Sequence, residues 1–190
     1  MNTRFFTGRG DNGNVSVGKT TLGKEHPLFA VLGSVDELIS WLGMCRVEAT
    51  RFQQQIVVND LRDIASIIKE IQEVLFILQS ELASIGFALP FRHHITKRHT
   101  EFLEHIIAEI DTQYPELRQF VIPGGTELAA RLDVARATAR YCERLMKSLD
   151  TVLPVSQELL QFLNRLSSAL FALARYSNHM AGVVEDNPRY

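Results

Sequence analysis

Four charged side chains on one helical stretch carry the most concentrated chemistry in this chain of 190 residues. Arg136, Arg140, Glu143 and Arg144 lie zero, four, seven and eight positions along, which puts them on one face of a helix. Three guanidiniums and a carboxylate in that arrangement can bind a polyanion, since each guanidinium presents a planar fork of donors to phosphate oxygens. They can equally pair with one another and with a partner subunit. The stretch also carries its own start signal. Phe120-Val121-Ile122 is halted by Pro123-Gly124-Gly125, and Thr126 is placed to cap the helix that follows. Behind the charged face, Leu128, Leu132, Ala135, Ala139, Cys142, Met146 and Leu149 alternate spacings of four and three, an apolar stripe made for a core.

A second concentration lies at the N-terminus. Residues 1–26 are rich in Gly, Thr, Asn and Lys, lack a helical period and read as a long loop. Gly13 to Thr20, GNVSVGKT, satisfies the P-loop pattern, but that pattern cradles phosphate only between a strand and a helix. Here polar residues precede it and Gly23 and Pro27 follow, so no helix opens at Lys19. Residues 56–60 imitate a Walker B strand yet run straight into a helical pattern. Thr7-Gly8-Arg9-Gly10-Asp11-Asn12-Gly13 can instead fold its amides into a nest for phosphate oxygens, with Arg9, Lys19 and Lys24 adding charge. A set of tight turns at a mobile terminus accounts for the same residues equally well.

Other candidates are more diffuse. Asp36-Glu37 follows apolar Val35 and is either solvated or the answer to one of the arginines. Asn164, Ser168, Phe171, Arg175 and Asn178 share a helical face, suited to a ligand wall or a subunit contact. The histidines lack metal-ligand spacing and read as surface.

The elements that must position these groups are helical. A first helix runs from Pro27 to about Glu48 on the stripe Leu28, Leu32, Val35, Ile39, Leu42. A second, capped by Asp60, carries the seam Leu61, Ile64, Ile68, Ile71, Leu75, Leu78, Leu82, Ile85. A third spans Thr96 to about Thr112, the fourth is the charged stretch, and the fifth runs from about Ser156 to Met180. No convincing strand pattern and no internal repeat appear. The expectation is a single all-α domain over residues 1–190: a loop over 1–26, a five-helix bundle over 27–181 and a loosely held tail over 182–190.

Composition narrows the class. A net charge of −2 with 46% hydrophobic and 22% charged residues describes an ordinary globular domain with no electrostatic case for nucleic acid. Cys45 and Cys142 sit in apolar helical patterns and read as buried, reduced thiols. No apolar run is expected to cross a bilayer, no signal segment is visible, and the expected compartment is the cytoplasm.

Three blocks, in order, resemble the PduO-type ATP:corrinoid adenosyltransferases, and the resemblance covers nearly the whole chain. The first is Thr7, Gly10, Asp11, Gly13 and Lys24, running on to Val35-Asp36-Glu37-Leu38. The second is Phe120 and Pro123-Gly124-Gly125 with Arg136, Arg140, Glu143 and Arg144. The third is Asn164 to Ser167 with Ala174-Arg175-Tyr176.

The resemblance implies a homotrimer of five-helix bundles with ATP bound between subunits. Thr7, Gly8, Arg9, Gly10, Asp11, Gly13, Ser16 and Lys24 would grip the triphosphate, with Arg140, Glu143, Arg144 and Asn164 completing the nucleotide site. Arg136 would pair with Asp36 across the subunit boundary. Phe120 and Phe171 would form an apolar wall below the corrin, keeping the lower axial ligand off cobalt. Cob(II)alamin would then be reduced to cob(I)alamin, a nucleophile strong enough to attack ATP without a general base. Mg²⁺ would arrive with ATP rather than on protein side chains. A corrinoid reductase and an adenosylcobalamin-dependent enzyme are the implied partners.

The chain departs from the family pattern at several points. Tyr141 stands where a second arginine is usual, Cys142 where alanine is usual, Asp133 in place of histidine, Val15 in place of a hydroxy residue, and Leu28 in place of an arginine; the glycine loop is one residue short. Tyr141, Asp133 and Leu28 motivate an alternative, a non-catalytic relative that stores, senses or delivers a corrinoid or ATP. A purely structural helical bundle is a third, which leaves the glycine loop and the arginine face unexplained.

Overall fold

The computed structural model describes residues 5–51, 57–58, 62–90, 93–117 and 119–189. Five long helices dominate: α1 (Pro27–Arg51), α2 (Ile64–Gly86), α3 (Lys97–Gln113), α4 (Glu127–Leu149) and α5 (Gln157–Met180). Helix α1 packs between α2 and α4, α4 packs on α5, and α5 packs on α3. The apolar stripes read from the sequence are the seams. Every residue of the α4 stripe is buried, as are Leu159, Leu163, Leu166, Leu170 and Leu173 on α5.

Local signals explain where the helices begin. Pro27 opens α1, with His26 Nδ1 accepting from the amide of Leu28 at 3.2 Å. Thr126 Oγ1 accepts from the Ala129 amide at 3.1 Å and Ser156 Oγ from that of Leu159 at 3.3 Å, each satisfying an orphan donor of the first turn. The α2 cap is Asp63, whose Oδ1 accepts from the Ser66 amide at 2.8 Å. The sequence reading gave that role to Asp60, which with Leu61 lies outside the described residues.

Two expectations are corrected, and the reading of Lys19 holds. The N-terminal segment is not loop throughout: β1 (Asn14–Val17) and β2 (Thr20–Gly23) pair antiparallel around Gly18–Lys19. Gly18, at φ +59°, occupies the first central position, where a two-residue turn demands positive φ. No helix follows Lys19, so the P-loop pattern has no phosphate-binding context. A two-residue pair, β3 (Val57–Val58) with β4 (Arg62–Asp63), occupies part of the Walker B-like segment.

The membrane expectation also changes in form. Helix α1 is long and apolar enough to cross a bilayer by length and composition alone. Its Leu28, Val31, Val35, Leu38 and Leu42 are buried against neighbouring helices, so the hydropathy is that of a core helix.

The tail, expected to have little to hold it, makes specific contacts. Ile122 donates its amide to the Asp186 carbonyl at 2.8 Å, and Asn187 Nδ2 donates to the Phe120 carbonyl at 2.7 Å. Glu185 meets the buried side chains of Arg175 and Asn178 on α5.

Candidate active site

The glycine turns of the N-terminus close on themselves first. Gly8, Gly10 and Gly13 hold φ of +69°, +92° and +81°, conformations that a side chain would strain. The Gly13 amide donates to the Gly10 carbonyl at 3.0 Å, and the Lys24 amide to the Gly13 carbonyl at 2.8 Å. Lys24 is thereby folded over the turns, and a Cβ on Gly10 would meet its Cε at 3.4 Å. Thr7 Oγ1 accepts from the Arg9 amide at 3.3 Å. Gly8, Arg9, Gly10, Asp11 and Ser16 line an open cleft of about 540 Å³. Ser16 Oγ is 2.8 Å from Thr21 Oγ1, a cross-strand pair of the hairpin. Lys19 is separated from this cleft, because the hairpin places it at the turn opposite Gly13 and Lys24.

The second region is built by α3, α4 and α5. Arg136, Arg140, Ser168 and Phe171 converge on a cleft of about 380 Å³ with an apolar floor that includes Ile107 and Ile110. Arg140 and Arg144 are exposed, and the Arg144 guanidinium lies 5.7 Å from the Tyr141 ring centroid. Glu143 Oε1 accepts from Asn164 Nδ2 at 2.8 Å, which joins α4 to α5 at an adjoining cleft of about 450 Å³. Arg144 lines a third cleft with Glu37 and Tyr141.

Beneath Phe171 lies a charge cluster that sequence reasoning did not assemble. Arg175 has 1% of its surface exposed, and its guanidinium carbon is 5.1 Å from the Phe171 ring centroid. Its Nη2 donates to Asp133 Oδ2 at 2.5 Å. Its Nη1 is 3.1 Å from Glu185 Oε1, near enough for an ion pair but not aligned as a hydrogen bond. Asp133 Oδ1 accepts from Arg136 Nε at 3.2 Å. Tyr114 donates to Glu185 Oε2 at 2.8 Å; burial, then this hydrogen bond, pushes its hydroxyl up to about 12. Asn178 donates to Glu185 Oε1 at 2.6 Å and to the Gly124 carbonyl at 2.9 Å, while its Oδ1 accepts from the Thr126 amide at 2.8 Å. The available signal was an arginine amid the buried row of α5; its partners lie 42 positions earlier and 10 later.

The expected groups are thus brought together in part. Phe171 joins Arg136 and Arg140, but Phe120 stands 79% exposed and does not line their cleft. Asp36 is exposed on α1, and within this chain Arg136 is engaged by Asp133. The glycine loop and the α4 arginines line different clefts. Of the departures, Leu28 is fully buried and packs over Gly86, so this position is core here. Val15 is half-buried against the bundle.

Fold and clefts define a five-helix bundle equipped to hold a polyanion beside an apolar surface. The chain belongs to the cobalamin adenosyltransferase family, whose model matches residues 5–177. A corrinoid adenosyltransferase of Citrobacter freundii is 33% identical over 174 residues, covering 90% of this chain and 93% of that one. The same organism's PduO is 33% identical over 179 residues, where this chain spans about half of its length. Among solved structures, a variant PduO-type ATP:corrinoid adenosyltransferase from Lactobacillus reuteri complexed with ATP superposes with a TM-score of 0.84 at 31% identity, covering 97% of this chain and 100% of that one. Another variant of that enzyme, complexed with cobalamin and ATP, gives 0.83 at 31% identity over 98% and 100%. By family this chain is an ATP:corrinoid adenosyltransferase.

Proposed function

We propose that the chain transfers the 5′-deoxyadenosyl group of ATP to the cobalt of cob(I)alamin through a site completed between two copies of the chain. Cobalt attacks C5′ with its electron pair, the C5′–O bond breaks, and triphosphate departs with the bonding pair. No proton transfer is required, so the protein's work is to position both substrates and neutralise the leaving group. Thr7, Gly8, Arg9, Gly10, Asp11, Gly13 and Lys24 grip the triphosphate, with Ser16 at the edge of the turns. Arg140, Glu143, Arg144 and Asn164 complete the nucleotide site from the neighbouring chain. Phe171 supplies the apolar wall that keeps cob(II)alamin four-coordinate and eases its reduction, and Phe120, which lies outside that cleft in the single chain, adds a second aromatic face from beside the Pro-Gly-Gly loop. Arg136 keeps its far nitrogens for the partner subunit's Asp36 while its Nε is held by Asp133.

The observation that carries this assignment is the convergence of Arg136, Arg140 and Phe171 on one cleft, cation beside aromatic wall. The separation of that cleft from the glycine loop supports a shared site, and three such copies close a ring with identical junctions. Mg²⁺ is the proposed companion of the triphosphate, whose charge it would share with the arginines. The cytoplasm, with a corrinoid reductase upstream and an adenosylcobalamin-dependent enzyme downstream, is the proposed setting.

The test is anaerobic incubation of the purified protein with cob(II)alamin, a strong reductant and MgATP. The visible spectrum should develop adenosylcobalamin, and triphosphate should appear in equal amount. Binding of ATP or cobalamin without either product would assign the chain to a storage, sensing or delivery role instead.

A further inference from the structure

Asp133 is buried to 4% exposure and gives each of its two carboxylate oxygens to a different arginine. One, Arg136, is partly open to the cleft, with 26% of its side chain exposed; the other, Arg175, is closed off at 2%. Arg175 in turn lies against the Phe171 ring. The Arg175 Nε has no hydrogen-bond partner among the described residues, so its hydrogen bond to Asp133 and its ion pair with Glu185 do most of the anchoring. A buried guanidinium left without its counter-charge moves or draws in water, because the uncompensated charge is costly where it stands. Two arginines and two carboxylates cancel in formal charge here, and among the described residues Asp133 is the one that bonds to both cations.

We propose that Asp133 is a positioning residue for adenosyl transfer, tying Arg136 at the cleft surface to Arg175 beneath Phe171 so that the cation and the aromatic wall keep one register. This rests on the roles assigned above, Arg136 at the subunit junction and Phe171 in the apolar wall, for two side chains that line one cleft. The carboxylate touches neither substrate. It acts through the two side chains it steadies: Arg136 directly, and Phe171 by way of Arg175.

Asp133→Asn preserves shape and removes the charge. Arg175→Met is the second variant, removing the cation at similar volume. Each is compared with the unsubstituted protein for melting temperature, KM for ATP, kcat, and the spectral signature of four-coordinate cob(II)alamin in the presence of ATP. Both variants should lose roughly 10- to 100-fold in kcat, the scale of an ångström misplacement near the chemistry. The KM for ATP should stay within about twofold, and the four-coordinate signature should weaken in both. Wild-type kcat and signature in a folded Asp133→Asn protein would overturn the assignment. A change confined to KM, or loss of fold in both variants, would do the same by showing a nucleotide contact or a purely structural cluster. An unsubstituted protein without turnover would overturn the proposed function itself, which the paired controls distinguish from failure of this inference alone.

Discussion

The two halves of the proposed nucleotide clamp are built by opposite means. The N-terminal hairpin is exposed along most of β1 and half-buried along β2, its turns close through their own backbone, and it meets the bundle through Val15, Leu22 and a bond from Thr20 Oγ1 to the Phe87 carbonyl at 3.2 Å. The α4–α5 region is the reverse. Its outward arginines stand on a helix whose inner face is fully buried, and Asp133, Arg175, Asn178 and Glu185 cross-link α4, α5, the Pro-Gly-Gly loop and the tail. A phosphate grip made of main-chain amides needs only local turns, whereas an apolar wall facing a macrocycle must be held in place from behind. The hairpin is therefore the locally built half and α4–α5 the cross-linked one.

The sharpest break in that comparison comes from the exposed face of α4. Arg140→Ala should lower turnover roughly 100- to 1,000-fold, as loss of a charge-stabilising donor does. Its melting temperature should match the parent, because Arg140 stands exposed on the outer face of α4; a lowered melting temperature would contradict the division between outer chemistry and inner frame. Gly125→Ala attacks the frame instead. Gly125 holds φ +92°, and a Cβ there would meet Asn178 Nδ2 and Oδ1 at 2.5 Å. Denaturant unfolding should show a loss of about 2 kcal/mol or more, the scale of strain at such a position.

A smaller effect concerns the tail. Tyr114 is raised to about 12 in the folded chain, above the usual phenol near 10. The stability from its protonated form is fully present below the unfolded value and is lost as pH rises through the folded one. Melting temperature should fall between about pH 10 and 12. Tyr114→Phe should flatten that part of the profile, leaving only the loss that other groups cause.

How much of this was legible from the sequence follows from the range of the forces involved. The stripes of α4 and α5 mark their own buried faces because helix periodicity is local, and Thr126 and Ser156 cap where their side chains dictate. The hairpin was missed because Asn14–Val17 is almost wholly exposed, so no alternation between faces is imposed; the Gly18–Lys19 turn was the remaining clue. Thr7, Gly10, Gly13 and Lys24 were legible as a unit, since closely spaced turns bring them together. The link from Asp133 to Arg175 and Glu185 was not: buried ion pairs obey tertiary packing, and nothing nearby in sequence announces them. Phe120 illustrates the limit from the other side, a residue carried by motif that stands in solvent in the single chain.

The central claim is that one site draws its loop from one chain and its α4 from another. Lys24→Ala disables the loop and Arg140→Ala the helix, so the two inactive chains can be co-expressed and the mixed assembly assayed for adenosylcobalamin. Random mixing in a closed ring leaves roughly one junction in four with both groups intact. The account predicts recovery of about a quarter of parental activity, well above either variant alone. Activity no higher than the average of the two variants would place the whole clamp within one chain and contradict it.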